Sequence, residues 1–433
     1  MKNLVPLPGV AFLLLATATC LAVAPEGAAK PPAAPENTAL VAAANNAFAA
    51  DLYGKLAAKE GNLFFSPNSI ETALVMTYAG ARGRTSDQMA QVLHLPRGNG
   101  TAEQIAAVLH MPAKNGSIHS AFSAFLKELT AEKGPDGKPR GYQLSVANAL
   151  WRQKGFTFLP AFLDLVKTNY GAGLNDVDFA KDTEGARKII NTWVEKETRD
   201  KIKDLIKPGI LDPRATVLVL TNAIYFKGDW AAKFKKVDTE DKPFHLSADK
   251  TVTVPMMNRE GKYGYMEDES FQALRLPYTG DDLAMIVLLP KKVDGLGKIE
   301  KSLTAENLAK WLSKMQTQKV LVAIPKFKTT AEFELKDTLA AMGMSDAFSG
   351  DVDFSGMDGK KDLSISNVIH KAFVDVNEEG TEAAAATAVI VGRSNGGHSS
   401  TPVFRADHPF IFLIRHEASG AILFMGRLAD PTK

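Results

Sequence analysis

Residues 378 to 394 read Glu378-Glu-Gly-Thr-Glu-Ala-Ala-Ala-Ala-Thr-Ala-Val-Ile-Val-Gly-Arg-Ser394. The run is made of small and β-branched side chains, and no proline occurs from Lys326 to Thr401, so every amide in it can donate to a β-ladder. It follows Ile369-His-Lys-Ala-Phe-Val-Asp-Val376, which reads as a strand. It precedes the flexible stretch Asn395-Gly-Gly-His-Ser-Ser400 and a strongly apolar C-terminus. A loop of this kind can be cut near its end, and the part set free has the composition of a strand. Strand side chains alternate, so Thr381, Ala383, Ala385, Thr387, Val389 and Val391 share one face, and Glu382, Ala384, Ala386, Ala388 and Ile390 share the other. The first set is small or β-branched and can pass between two existing strands without a large clash. Gly380 permits the sharp backbone change at the point where such a strand would start. A central strand of about twelve residues gains bonds on both sides at roughly 0.5–1.5 kcal/mol each, on the order of 10 kcal/mol in total. An alanine-rich helix is the competing reading of residues 383–386, and Gly380 before them and the β-branched residues after them argue against it.

Working outward, the 433 residues are 45% hydrophobic and 23% charged, enough to bury a sizeable core. A net charge of +2 gives no argument for nucleic acid or an anionic membrane as a partner. Residues 1–24 read as a secretory signal: one lysine, the apolar run Val10-Ala-Phe-Leu-Leu-Leu-Ala16, then small residues ending in Ala22-Val-Ala24. Pro25 disfavours cleavage directly after Ala24, so the mature start falls within several residues of it. The sole cysteine, Cys20, lies inside this segment, and Thr19 and Thr17 fit a lipoprotein signal poorly. Removal past Cys20 leaves no thiol and no disulfide. The expected location is secreted, extracellular or periplasmic. Residues 25–37 read as a flexible tether and 38–433 as one large domain, with no later stretch long and apolar enough to span a membrane.

Helices dominate the first half of that domain. Val41, Phe48, Leu52 and Leu56 share one face of the first, and Thr85-Ser-Asp-Gln88 has the spacing of a capping box opening another. Phe122, Phe125, Leu126 and Leu129 mark a third helix, and Ile189, Ile190, Trp193 and Val194 a fourth. Thr216-Val-Leu-Val-Leu-Thr-Asn-Ala-Ile-Tyr-Phe226 is a nearly continuous apolar run, as expected of a strand buried on both faces. Residues 283–289, 320–324 and 410–414 are further strands, so the class is α+β. Val92-Leu-His-Leu-Pro-Arg-Gly-Asn-Gly100 recurs as Val108-Leu-His-Met-Pro-Ala-Lys-Asn-Gly116. This echo reads as a small duplication; a metal or glycan site on His94, His110 and His119 has no clustered carboxylates or basic residues behind it. No cofactor or metal is expected.

Five blocks, in order, resemble the serpin family. They are Asn62-Leu-Phe-Phe-Ser-Pro-Asn-Ser-Ile70, Thr77-Tyr-Ala-Gly-Ala-Arg-Gly-Arg-Thr85, Leu218-Val-Leu-Thr-Asn-Ala-Ile-Tyr-Phe-Lys-Gly-Asp-Trp230, Val374-Asp-Val-Asn-Glu-Glu-Gly-Thr-Glu-Ala-Ala-Ala385 and Phe404-Arg-Ala-Asp-His-Pro-Phe-Ile-Phe-Leu-Ile414. The resemblance implies a serpin fold of three β-sheets and about nine helices with an exposed reactive loop near the C-terminus, over about 378–403. It also implies a monomer that is no enzyme and that traps a target serine protease as a covalent 1:1 complex: the cut loop inserts into the central sheet as a new strand. Glu378, Gly380, Thr381, Glu382, Ala383, Ala384, Ala385 and Ala386 then form the hinge. Ser66, Ser69, Asn222 and His370 match the family's shutter, where bonds re-form as strands part, and Trp230 and Glu378 match its breach, where insertion starts. His370 is structural on this reading, not catalytic.

Gly392-Arg-Ser394 resembles the Gly-Arg-Ser of antithrombin, which makes Arg393–Ser394 the scissile bond and points to trypsin-like proteases. Counting from Glu378, most inhibitory members cut one residue later, at Ser394–Asn395, which would suit elastase- or subtilisin-like enzymes. Gly392-Arg-Ser-Asn-Gly396 also fits a serine-hydrolase elbow with His398, Asp407 and His408 downstream. An elbow needs a helix directly after its serine, and Gly-Gly-His-Ser-Ser-Thr-Pro cannot start one. A non-inhibitory carrier or chaperone is the remaining alternative; such members often carry bulky, charged or proline hinge residues, and this hinge has none. Arg97, Lys114 and Lys127 are scattered and give glycosaminoglycan activation no support.

Overall fold

The computed structural model describes residues 36–95, 118–134, 137–171, 174–381 and 401–433. The first strands in chain order are β1 (Leu63–Phe65), β2 (Tyr142–Gln153), β3 (Leu174–Val177), β4 (Leu218–Asp229) and β5 (Thr239–His245). Next come β6 (Thr251–Glu267), β7 (Phe271–Pro277), β8 (Leu283–Pro290), β9 (Gln316–Pro325) and β10 (Phe327–Glu334). The last are β11 (Asn367–Val376), β12 (Gly380–Thr381), β13 (Val403–Arg405), β14 (Phe410–His416) and β15 (Ile422–Leu428).

The apolar run at 216–226 is β4, in the middle of a six-stranded sheet ordered β10-β11-β12-β4-β2-β3. Its side chains alternate between two cores. Leu218, Leu220, Ile224 and Phe226 enter the main core of the molecule. Val219, Ala223 and Tyr225 enter a second core beneath the helix Thr183–Glu197, which covers the other face. Burial on both sides is why the strand reads as unbroken hydrophobicity instead of alternation.

That covering helix touches the sheet through Ala186, Ile190 and Val194, one residue per turn, and Trp193 packs edge-on to Trp151 at 5.5 Å. Ile189, expected on the buried face, is 55% exposed, because it lies about 100° round the helix from Ile190. In α1 (Glu36–Leu56) the expected face is buried through Val41, Phe48 and Leu52. This helix begins at Glu36, inside the last two positions of the stretch read as tether. α2 (Pro67–Tyr78) is capped by the Ser66 hydroxyl, which accepts from Ser69 N, and lies under β4 and against β15.

The capping box expected at Thr85 is absent. α3 (Gly83–Val92) has its N-cap at Arg82, three residues earlier, without a side-chain cap. Thr85 is buried within the helix and its hydroxyl accepts from Asp353 N at 2.9 Å, while Gln88 donates to Asp346 at 2.9 Å. Tertiary partners claimed both ends of the box. The helix Ile118–Thr130 buries Phe122, Phe125 and Leu129 as read, with Leu126 half-buried.

The remaining strands form one nine-stranded network, β1-β15-β14-β8-β7-β6-β9-β13 with β5 on β6. Three sheets were expected; the second and third are joined by hydrogen bonding because β6, at 17 residues, pairs with β7 at its end and with β9 along its length. Ten α-helices lie among the described residues. The second copy of the 92–100 echo, the hinge residues Glu382 to Ala386, and Arg393, Ser394 and Asn395 lie outside the described residues.

Candidate functional site

β4 and β11 run parallel and pair directly over seven positions, from Asn367↔Val219 to Phe373↔Tyr225. Beyond Phe373 they part, and β12 occupies the opening. Thr381 pairs with Val376 on one side and with Gly228 on the other, both antiparallel, and Gly380 pairs with Asp229. The chain reverses at Asn377, whose N–H donates to the Gly380 carbonyl at 2.9 Å and whose side chain accepts from Glu379 N at 3.0 Å. Gly380 and Thr381 of the predicted hinge therefore already lie as a central strand. Any continuation of that strand points down the seam between β4 and β11.

The entry point is tightly built. A Cβ on Gly380 would lie 2.0 Å from the Gly228 carbonyl oxygen and 2.7 Å from Asp229 Cα. Close backbone approach, more than torsional freedom, is what requires glycine there. Thr381 is fully buried on the inward side, and its hydroxyl bonds the Tyr278 hydroxyl at 2.7 Å. Tyr278 in turn stacks on Trp230 with centroids 4.7 Å apart. Trp230 donates its indole N–H to Asn377 O at 2.9 Å and its backbone N–H to Glu379 O at 2.9 Å. The Glu378 carboxylate, with its side chain 5% exposed, receives Lys326 at 2.9 Å and the Thr239 hydroxyl at 3.0 Å. Burial works to raise the Glu378 pKa, but Lys326, Thr239 and backbone donation together hold it below the ordinary carboxylate value. Glu379 pairs with Lys233 at 2.8 Å.

Further down the seam a polar row crosses the sheet at one register level. Asn148 on β2 is opposite Asn222 on β4, Asn222 is opposite His370 on β11, and His370 is opposite Phe333 on β10. Burial lowers the His370 pKa to about 3, so the ring is neutral. Its Nε2 faces the backbone N–H of Ser66 at 3.1 Å and must accept. Nδ1 therefore carries the proton and donates to Asn222 Oδ1. The Asn222 amide then donates to Ser69 Oγ at 2.6 Å and to Asn148 Oδ1. Ser69 Oγ donates to Asn148 Oδ1 at 3.1 Å, and Ser66 Oγ donates to Leu423 O at 2.6 Å. The His370–Asn222 bond spans the seam itself, so any strand entering between β4 and β11 must break it.

The structure thus brings together Ser66, Ser69, Asn222 and His370 in one network, and Trp230, Glu378, Gly380 and Thr381 in another. Asn148, Tyr278, Lys326 and Glu379 belong to these networks and were missed in the sequence. None of them stood out: β2 carries Gln143, Ser145, Arg152 and Gln153 as well as Asn148, and nothing in the linear order pairs Tyr278 with Thr381. Of the elbow's companions within the described residues, His408 has both ring nitrogens engaged, with Asp407 at 2.8 Å and Pro290 O at 2.7 Å. His94 pairs with Asp51 at 2.8 Å. His119 bonds the Tyr170 hydroxyl at 2.8 Å, and burial lowers its pKa to about 4. No cluster of three or more potential metal ligands occurs among the described residues, nor a helix long and apolar enough to cross a membrane.

Comparison with known proteins gives one family. Residues 43–431 match the family described as Serpin (serine protease inhibitor). Leukocyte elastase inhibitor of Bos taurus is 43% identical over 401 residues, covering 90% of this chain and 99% of that protein. Human Serpin B3 is 42% identical over 393 residues, covering 90% and 98%. The crystal structure of human thyroxine-binding globulin complexed with thyroxine superimposes with a TM-score of 0.78 at 30% identity, covering 92% of this chain and 100% of that one.

Proposed function

This chain belongs to the serpin family, and we propose that it inhibits serine proteases by offering its reactive loop as a substrate and inserting the cut strand between β4 and β11. The observation that carries the proposal is β12: Gly380 and Thr381 already lie as a central strand at the head of a seam that is otherwise closed. The named inhibitors among its relatives support the same reading.

The serine of the attacking protease adds to the carbonyl carbon of Arg393. The Arg393–Ser394 bond breaks, the new amine of Ser394 leaves with a proton, and an ester joins the Arg393 carbonyl to the protease. The strand beginning at Gly380 then runs down the seam. Insertion breaks one ladder, the seven pairs of β4 with β11, together with the His370–Asn222 bond. It creates two ladders, one on each side of the new strand, at roughly 0.5–1.5 kcal/mol per bond, so the exchange runs downhill. The attached protease is carried along and its active site is distorted. Arginine before the bond directs the loop to trypsin-like enzymes; cleavage at Ser394–Asn395 would instead suit elastase- or subtilisin-like ones.

Mixing the protein with trypsin and with subtilisin, then running denaturing gels and locating the cut by mass spectrometry, tests all of this. The expected result is an SDS-stable complex with trypsin and a cut after Arg393. Arg393→Ala should abolish the trypsin complex, whereas Ser394→Ala should leave it. Cleavage without complex, and no rise in melting temperature afterwards, would overturn the inhibitor reading in favour of a carrier. A small-molecule carrier is the second reading, prompted by the fold shared with thyroxine-binding globulin. Export of the mature protein, proposed from the signal-like residues 1–24, is read by N-terminal sequencing of the secreted or periplasmic fraction.

A further inference from the structure

α2 is buried at every position from Pro67 to Thr77, and it carries one carboxyl, Glu71. Glu71 is fully buried, and neither of its oxygens has a hydrogen-bond partner among the described residues. A helix with one wet face can extend a carboxyl along it to water, and α2 has no such face. The groups around Glu71 bring no charge to it. Tyr78 lies on the same face of α2, two turns on. His119 of the helix Ile118–Thr130 and Tyr170 of the helix Pro160–Tyr170 bond each other at 2.8 Å, and the His119 ring lies 6.4 Å from that of Tyr78. Burial lowers the His119 pKa to about 4, so that ring is neutral. The Glu71 carboxylate adds to burial in raising the Tyr170 pKa, so the two stand within electrostatic reach. The charged residues of the other packed elements are engaged elsewhere: Asp51 of α1 with His94, Arg84 of α3 with Asp346, Arg152 of β2 with Asp176, and Arg427 of β15 with Glu300. Glu128 faces His416, and Lys55, Asp87, Lys127, Asp164 and Lys167 are exposed. Lys227 and Asp229 of β4 lie five and seven residues beyond Asn222, where α2 meets that strand.

A carboxylate at this place would have no counter-charge, no donor and no path to water. Burial therefore drives the Glu71 pKa well above the ordinary carboxylate value, and the folded protein holds the group as a neutral acid. We propose that Glu71 is a proton latch on α2: neutral, it lets the helix lie closed against the helices Ile118–Thr130 and Pro160–Tyr170; ionised, it forces this layer apart and loosens the seam between β4 and β11. The link to the seam is α2 itself. Two residues before Glu71, Ser69 Oγ accepts from the Asn222 amide at 2.6 Å, and at the N-cap of the helix the Ser66 N–H donates to His370. A shift of α2 thus moves the groups that steady the His370–Asn222 bond across the seam. Because the folded Glu71 pKa lies above its unfolded value, the stability lent by the neutral acid is fully present below the unfolded value and is lost as pH rises through the folded one. His370 acts in the opposite sense and loses stability as pH falls. One buried acid and one buried base on the same helix contact so bound, from either side, the pH range in which the seam stays shut. This device needs no protease and stands apart from the inhibitory reading.

Infrared difference spectra between the parent and Glu71→Gln at pH 7 read the group directly, and the expected band is that of a protonated carboxyl. Thermal melts of the two proteins at pH 5 and pH 8 should show the variant gaining on the parent by about 5 °C over that range, since the histidines affect both alike. Amide exchange at β4 and β11, corrected for the chemical rate, should quicken in the parent by about tenfold between pH 7 and pH 8 relative to the variant. Glu71→Leu, of similar size and with nothing to ionise, should show the same flat profile, which keeps the test open should the glutamine variant not fold. Glu60→Gln, at an exposed position, should follow the parent. A carboxylate band at pH 7, or a melting gap that does not change with pH, overturns the latch. A widening gap with exchange at the seam unchanged would show a buried acid that does not act on the seam, and overturns it equally.

Discussion

Replacing His370 by alanine takes two partners from the polar row at once. The backbone N–H of Ser66 loses its acceptor at 3.1 Å, and Asn222 Oδ1 loses the Nδ1–H that donates to it. Ser66 and Asn222 are both almost fully buried, and each group left unpaired there costs about 1–3 kcal/mol. The lost ring also leaves a gap against Phe333, which stacks on it at 6.3 Å. Together these come to about 4 kcal/mol at pH 7. An unfolding entropy of about 2.1 cal/mol/K per residue over roughly 400 residues turns that into a fall in Tm of about 5 °C. The same residue predicts how the loss changes with pH. Burial holds His370 neutral in the folded protein down to about 3, whereas in the unfolded chain it titrates near 6.5. The unfolded state therefore takes up a proton first as pH falls below about 6.5, and the native protein loses stability through that range. At pH 5 this amounts to about 2 kcal/mol, a penalty the alanine variant does not carry. Urea and thermal unfolding of both proteins at pH 7 and pH 5 should show the gap narrowing from about 4 to about 2 kcal/mol. A gap independent of pH, or melting within about 1 °C of the parent at pH 7, refutes the assignment of a neutral, doubly bonded histidine.

Gly380→Ala drives a methyl into the Gly228 carbonyl, so β12 should leave the sheet: amide exchange at Trp230 should quicken, and more of the protein should be cleaved without trapping protease. Thr381→Arg places a charge in a fully buried site on the Tyr278 hydroxyl; gels should show cleavage retained and the SDS-stable complex lost. Lys326→Met leaves the buried Glu378 carboxylate with Thr239 and the backbone. The expected loss at pH 7 is about 1–2 kcal/mol, reduced for the partial exposure of Lys326. Because the folded Glu378 pKa is lowered, that stability is fully present above the ordinary carboxylate range and is lost as pH falls below it through the depressed folded-state value, so the variant and parent should converge in acid melts.

Some of this was legible in advance because its signal is local. The unbroken apolar run of β4 announced a strand buried on both faces, and the small side chains after Gly380 announced a strand without a sheet position of its own. Other readings failed where a distant partner overruled a local pattern. Thr85 and Gln88 have capping-box spacing, yet Asp353 and Asp346 draw them away. Ile189 is as apolar as Ile190, yet only one of two neighbours on a helix can face a flat sheet. Tyr278 and Asn148 were invisible because what defines them is a contact more than seventy residues away in sequence.

By itself the sequence determined the materials: a proline-free, small-residue strand with a glycine at its head, an apolar strand to receive it, and the family blocks around them. These follow from side-chain size, backbone freedom and periodicity, which are properties of neighbouring residues. Only the tertiary structure decided that β4 and β11 close against each other for seven pairs and part where Gly380 and Thr381 enter. It alone decided that a single histidine–asparagine bond spans the closed seam. Register between strands about 150 residues apart is set by how two cores pack on opposite faces of one sheet, and no local pattern carries that information.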